Sequence, residues 1–166
     1  MAPESRTVRD GVVVGLIAYV AVAVFYAAFD VLAARGTLYT VDLLGKAFFR
    51  GLRDPAVLQL PFQPDFPAIF LYNGLHLFLS LCIGLTVVWL VERADRGSEQ
   101  AYVSLFVIVA GFFVTILAMG TLTGPIRPVL PTWSIVAANT VAVLAAGAYL
   151  LWKRPGVWRR LMPFLG

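Results

Sequence analysis

Residues 12–34 read VVVGLIAYVAVAVFYAAFDVLAA, a run of 23 residues whose single charge, Asp30, falls near its end. As a helix the run is about 34 Å long. That length crosses a hydrocarbon core of roughly 30 Å. Three more runs have the same character, over 68–90, 102–122 and 133–152. The chain is 60% hydrophobic and 13% charged, with a mean hydropathy of +0.85, which excludes an ordinary soluble domain. The expected fold is all-α: a polytopic integral membrane protein whose residues 1–166 form a single domain of four transmembrane helices. The spans and their connections fill these 166 residues, so no soluble catalytic domain is expected among them. The first apolar run is far longer than a cleavable h-region, and both signs of charge precede it, so a retained helix is the better reading than a signal peptide.

The connections carry further signals. Between the first two spans, residues 40–53 (TVDLLGKAFFRGLR) place Val41, Leu44, Phe48 and Leu52 on one helical face and Asp42, Lys46, Arg50 and Arg53 on the other. This predicts a short amphipathic helix lying on the membrane interface, with Thr40 as N-cap and Asp42–Lys46 as an i, i+4 pair. Pro67 and Asp65 suit the start of the second span, as first-turn proline and cap. Pro125, Pro128 and Pro131 recur every third residue, which predicts an extended polyproline-like connection before the last span. Trp89, Trp133, Trp152 and Trp158 fall at span ends, where indoles anchor to the interface. Gly11 and Gly15 form a GxxxG motif, and Ala138, Ala142 and Ala146 repeat at i+4; both patterns predict close helix packing, within the bundle or against a partner.

Lys and Arg outside the spans number eight on the side of the termini and five on the other. The positive-inside rule then puts both termini in the cytoplasm of a cell-membrane protein. The formal charge of +4 comes from residues that flank the spans, such as Lys153 and Arg154, so lipid head groups and not nucleic acid are the expected anionic partners.

Chemistry is scarce. The single cysteine, Cys82, permits neither an intrachain disulfide nor a dithiol relay, which removes the disulfide-forming membrane oxidoreductases. Zinc and di-iron sites need three or more donors. Ser80, one turn after His76, lacks the orienting acid and oxyanion donors of a nucleophile. Glu92 and Glu99 lie at the cytoplasmic edge.

Polar residues placed by depth tell more. With both termini inside, Asp30 lies about 10 Å outside the midplane, Asn73 about 9 Å, Thr115 and Asn139 about 5 Å and His76 about 4.5 Å. Tyr26 sits one turn before Asp30, and Tyr72, Asn73 and His76 share a face. These seven residues predict a polar cluster in the outer half of the bundle, with His76 and Asn73 as cofactor contacts and Asp30, Tyr26, Tyr72, Thr115 and Asn139 as ligand contacts. Asp30 is close enough to the interface to reach water instead, whereas Tyr19 and Tyr149 of the inner half are expected to send their hydroxyls to the interface. For His76 three roles stand: a structural hydrogen bond, a contact to a cofactor such as haem or chlorophyll, or ligand and proton handling. The leading functional reading is a non-catalytic accessory subunit of a larger membrane complex, respiratory or photosynthetic, surrounded by lipid and other membrane subunits. The alternative is a small homo-oligomeric protein that binds or transports a lipid, quinone or small amphiphile.

Overall fold

A computed structural model describes residues 3–53, 63–94, 97–154 and 156. Trp158, Arg159, Arg160 and residues 54–62, with Pro55 and Pro61, lie outside them. The architecture is all-helical: α1 (Pro3–Leu32), α2 (Tyr39–Phe49), α3 (Phe66–Ala94), α4 (Ser98–Leu122) and α5 (Thr132–Lys153). Four of these are long and apolar enough to cross a membrane: Arg6–Leu32, Phe66–Ala94, Glu99–Leu122 and Thr132–Lys153. The spans therefore match the four apolar runs, and the chain is a four-helix membrane protein with one short extra helix. The start of α1 and the end of α5 meet at one end of the bundle, and α2 occupies the other.

α1 is the hub, packed against α3 along most of its length and against α5 on its flank. The GxxxG residues face inward. A Cβ on Gly15 would lie 2.7 Å from Leu81 Cα and from the Ser80 carbonyl oxygen; one on Gly84 would overlap the Gly11 carbonyl and the Gly15 amide. In hydrocarbon there is no hydrophobic gain between helices, so such backbone-to-backbone contact supplies the dispersion that holds them together. The alanine stripe of α5 works alike: Ala138 and Ala142 are buried, and Ala146 packs with Val14, Val88 and Leu150. Both stripes thus serve the bundle.

α1 ends two residues before its apolar run does. Ala34 adopts a left-handed conformation (φ 55°), with Ala34 N–H donating to the Val31 carbonyl and Arg35 N–H to that of Asp30. This is a Schellman closure with alanine where glycine is usual. Gly36 (φ 83°) continues the turn into α2.

Two connections differ from expectation. α2 stops at Phe49, and seven of its eleven residues are buried. Leu43, Leu44 and Ala47 form a core with Ile126 and Leu130 of the last connection, and Gly45 meets Ala68 of α3 so closely that a Cβ would lie 2.6 Å from its carbonyl oxygen. The helix is wedged between α3 and that connection, more buried than its amphipathic pattern alone predicts. Asp42, placed on the polar face by periodicity, is fully buried, because Lys46 pairs with it at 2.6 Å and the Asp65 amide donates to it at 2.6 Å. The second difference is the proline segment. It is not extended: Gly124–Ile126 make a 3-10 turn, and Val129 and Leu130 N–H donate back to Ile126. Seating Ile126 and Leu130 on α2, at about 1.5–3 kcal/mol per buried side chain, outweighs the polyproline preference.

The cap at α3 is as read from sequence. Asp65 accepts from the Ala68 amide at 3.1 Å, with Pro67 in the first turn. α4 is the loosest span: among the described residues its buried members are Ala101 and Ser104, both near its start.

A polar cavity between α1, α2 and α3

α1 and α3 run antiparallel, so residue numbers facing each other sum to nearly a constant: Gly11 meets Leu85, Gly15 meets Leu81, and Tyr19 meets His76. Past Tyr19 large polar residues join the facing surfaces. The helices are held apart there, and α2 fills part of the gap.

Asp30 shows what the cluster does for the fold. Its side chain is 1% exposed and does not reach water. One carboxylate oxygen accepts from the Thr40 amide at 2.7 Å and the other from the Thr40 hydroxyl at 2.6 Å. Thr40 is the second residue of α2, so it is not the N-cap. Leu38 holds that position without a side-chain bond, and the capping anion is supplied from α1. A carboxylate at a helix N-terminus meets unpaired N–H groups and the positive end of the macrodipole, a pairing that offsets the desolvation of its charge. Arg35 completes the join: its guanidinium donates to the Val129 carbonyl at 3.0 Å and lies 5.3 Å from the Tyr39 ring centre. Burial pushes the Tyr39 phenol above its ordinary pKa, so it remains neutral beside these charges.

Beside this latch is a cavity of about 250 Å³. Its polar lining comprises Tyr26, Asp30, Thr37, Thr40, Tyr72, Asn73 and His76; its apolar lining includes Val22, Ala23 and Ala27 of α1 with Val41 and Leu44 of α2. Five of the seven residues expected in one cluster therefore line one cavity. Thr115 and Asn139 do not. Thr115 donates to the Gly111 carbonyl at 2.9 Å, and Asn139 to that of Ile135 at 2.8 Å, each satisfied on its own helix.

The cavity residues differ in what they have left to offer. Asn73 accepts from the Tyr19 hydroxyl at 2.9 Å and donates to the Ile69 carbonyl at 3.0 Å, leaving one amide hydrogen. The Tyr26 hydroxyl lies beside Ser134 of α5. His76 packs between two tyrosine rings, with centroids 5.2 Å from Tyr19 and 6.0 Å from Tyr72. Neither His76 nor the Tyr72 hydroxyl has a hydrogen-bond partner among the described residues. Ser80 is buried against Gly15, apart from the cavity.

Tyr19 belongs to this site and not to the interface. Gly11, Gly15, Tyr19, Tyr26 and Asp30 follow one another at intervals of one or two turns, a continuous stripe on α1 that marks its buried face. A cavity of this size lies below the 300–1,000 Å³ of drug-sized sites. Among the described residues no three His, Cys, Asp or Glu side chains gather as metal ligands.

The opposite end holds a second polar group that depth placement had set aside. Glu92 of α3 accepts from the Thr7 hydroxyl at 2.6 Å and from the Arg154 guanidinium at 2.7 Å; Arg154 lies 3.8 Å from Asp10. These residues tie α1, α3 and α5 at the end where α1 starts and α5 finishes. No protein-family model, characterised protein or solved structure matches the chain.

Proposed function

We propose that the protein binds a small amphiphile, whose head enters the cavity between α1, α2 and α3. The observation that carries this reading is the pairing of a lined cavity with two polar groups, His76 and the Tyr72 hydroxyl, that no described residue satisfies. Both residues are half-buried, and a ligand that supplies the missing partner contributes about 0.5–1.5 kcal/mol per hydrogen bond. The role in this reading is binding. The membrane is a cell membrane, with the end that carries Glu92 and Arg154 facing the cytoplasm.

Photolabelling tests this. Proteoliposomes are irradiated with an alkyl probe carrying a diazirine next to a small polar head, and the adducts are mapped. Adducts saturate on cavity residues such as Val41, Leu44 and Tyr72, and Leu44→Trp, which fills the space, suppresses them. Unsaturable labelling spread equally over α4 rules the reading out.

A second reading is favoured by α4. Its outward side chains Phe106, Phe113 and Leu117 are exposed over a span that contributes little to the bundle, which suits an accessory subunit docked in a larger membrane complex. Native mass measured in mild detergent decides it: co-purifying membrane proteins support the subunit, and a self-contained particle removes it.

A further inference from the structure

Resting on the binding reading above, we infer that the occupant of the cavity is a neutral planar ring bearing carbonyl acceptors, the head group of a quinone, held by Tyr72 and His76.

Charge narrows the choice first. The lining contains one carboxylate, Asp30, and no Lys or Arg. A phosphate or carboxylate head would enter beside an anion with no cation in the lining to receive it, in a low-dielectric space where like charges repel strongly. A cation is not called for either. Both Asp30 oxygens already accept from Thr40 at the N-terminus of α2, so the carboxylate is compensated without a ligand.

Hydrogen bonding narrows it further. The strongest acceptors of the lining are engaged: Asp30 on Thr40, and the Asn73 carbonyl on Tyr19. The Thr40 hydroxyl spends its proton on Asp30. What remains open is rich in donors: the Tyr72 hydroxyl, the N–H of a neutral His76 and the second amide hydrogen of Asn73. All three lie on α3 within four residues, on one face. A head with carbonyl oxygens uses all three donors, whereas a head that only donates meets just the second ring nitrogen of His76 and the Tyr72 oxygen.

Shape agrees. About 250 Å³ admits one substituted ring, not a macrocycle or a branched phospholipid head. Tyr26, Tyr72 and His76 offer ring faces and edges for offset stacking, while Val22, Ala23, Val41 and Leu44 take up ring substituents.

The test uses the full chain in proteoliposomes with decylbenzoquinone, observed by infrared carbonyl bands and by the ring-nitrogen resonances of His76. The expected result is a bound quinone whose carbonyl band moves to lower frequency and whose addition shifts the His76 resonances. Tyr72→Phe keeps the ring and removes only the hydroxyl; it and His76→Leu each weaken binding about tenfold, as the loss of one buried hydrogen bond does. Thermal midpoints of both variants confirm that the bundle persists. A quinone whose carbonyl band does not move, or moves as far in both variants as in the unchanged protein, overturns the inference. Decyltrimethylammonium or decyl phosphate shifting His76 in its place overturns the quinone while leaving the binding reading standing. If none of the three probes shifts His76, both fall.

Discussion

Along one pair of helices the molecule adopts two opposite solutions. Between Gly11 and Gly15 of α1 and Ser80 and Gly84 of α3 the backbones touch, with no space for a single added carbon. Two turns further on, between Tyr19, Tyr26 and Asp30 on one side and Tyr72, Asn73 and His76 on the other, the same helices stand around a cavity of about 250 Å³ and admit a third element, α2. The helices do not change; the side-chain size does. Small residues at one end let dispersion act at close range, and large polar residues at the other hold a space whose walls still carry hydrogen-bonding capacity. The closed half fixes the geometry of the open half.

The hardest blow to this arrangement is a carbon placed in the closed half. Gly84→Val sets side-chain atoms against the Gly11 carbonyl and Gly15 amide, which are backbone and cannot swing aside. Overpacking costs about 1–3 kcal/mol where side chains can adjust, and at a backbone contact the loss exceeds that range. Little folded protein is expected, and Gly84→Ala lowers the thermal midpoint in detergent by an intermediate amount. Gly74→Ala, at a position with open space around it, is the control and leaves the midpoint in place. Equal midpoints for Gly84→Ala and Gly74→Ala would break the contrast between the two halves.

The next effect lies at the junction with α2. Asp30→Leu leaves the Thr40 amide and hydroxyl without acceptors, at about 1–3 kcal/mol, and frees the start of α2. Amide hydrogen exchange in residues 39–49 accelerates, while amides near Gly15 and Gly84 exchange as before. Asp30→Asn, which retains one acceptor but not the charge, falls between. Uniform acceleration along α1 would mean that the two halves are one cooperative unit.

Much of this was legible in the sequence, and the misses share a cause. Length and hydropathy located all four spans, because in hydrocarbon every backbone group must be satisfied within its own helix. Depth found Tyr26, Asp30, Tyr72, Asn73 and His76, since a polar side chain in the apolar layer needs a partner or a purpose. Depth says nothing about rotation, and that is why Thr115 and Asn139 were grouped with residues they do not face. It also misplaced Tyr19, whose height is close to the midplane but whose hydroxyl reaches Asn73. Periodicity separated α2 into two faces correctly but not into wet and dry ones. Asp42 is buried because Lys46 and the Asp65 amide come to it, and the second partner lies 23 residues away in sequence.

The charged pairs at the two ends give smaller effects and sharpen the comparison by their different surroundings. At the closed end Arg154→Gln removes the partner of Glu92, which the Thr7 hydroxyl still serves, so the loss is about 1 kcal/mol or less and shrinks as salt is added. At the open end the Arg50 guanidinium bonds the exposed Asp65 carboxylate at 2.9 Å and holds it below its ordinary pKa of 3.8, and the Ala68 amide acts in the same direction. A carboxylate held down in the folded state stabilises the fold fully above its unfolded pKa and loses that contribution as the pH falls through its folded one. The clasp between α2 and the start of α3 therefore has full strength from about pH 5 upward and weakens below pH 4. Exchange of the Ala68 amide, corrected for its intrinsic pH dependence, should quicken across that window, and Arg50→Gln should move the window upward towards the ordinary carboxylate value. A window that does not move in Arg50→Gln would mean that the cap on Ala68 alone holds Asp65 ionised, and that α2 is kept in place by Asp30 and Asp42 without help from the exposed pair.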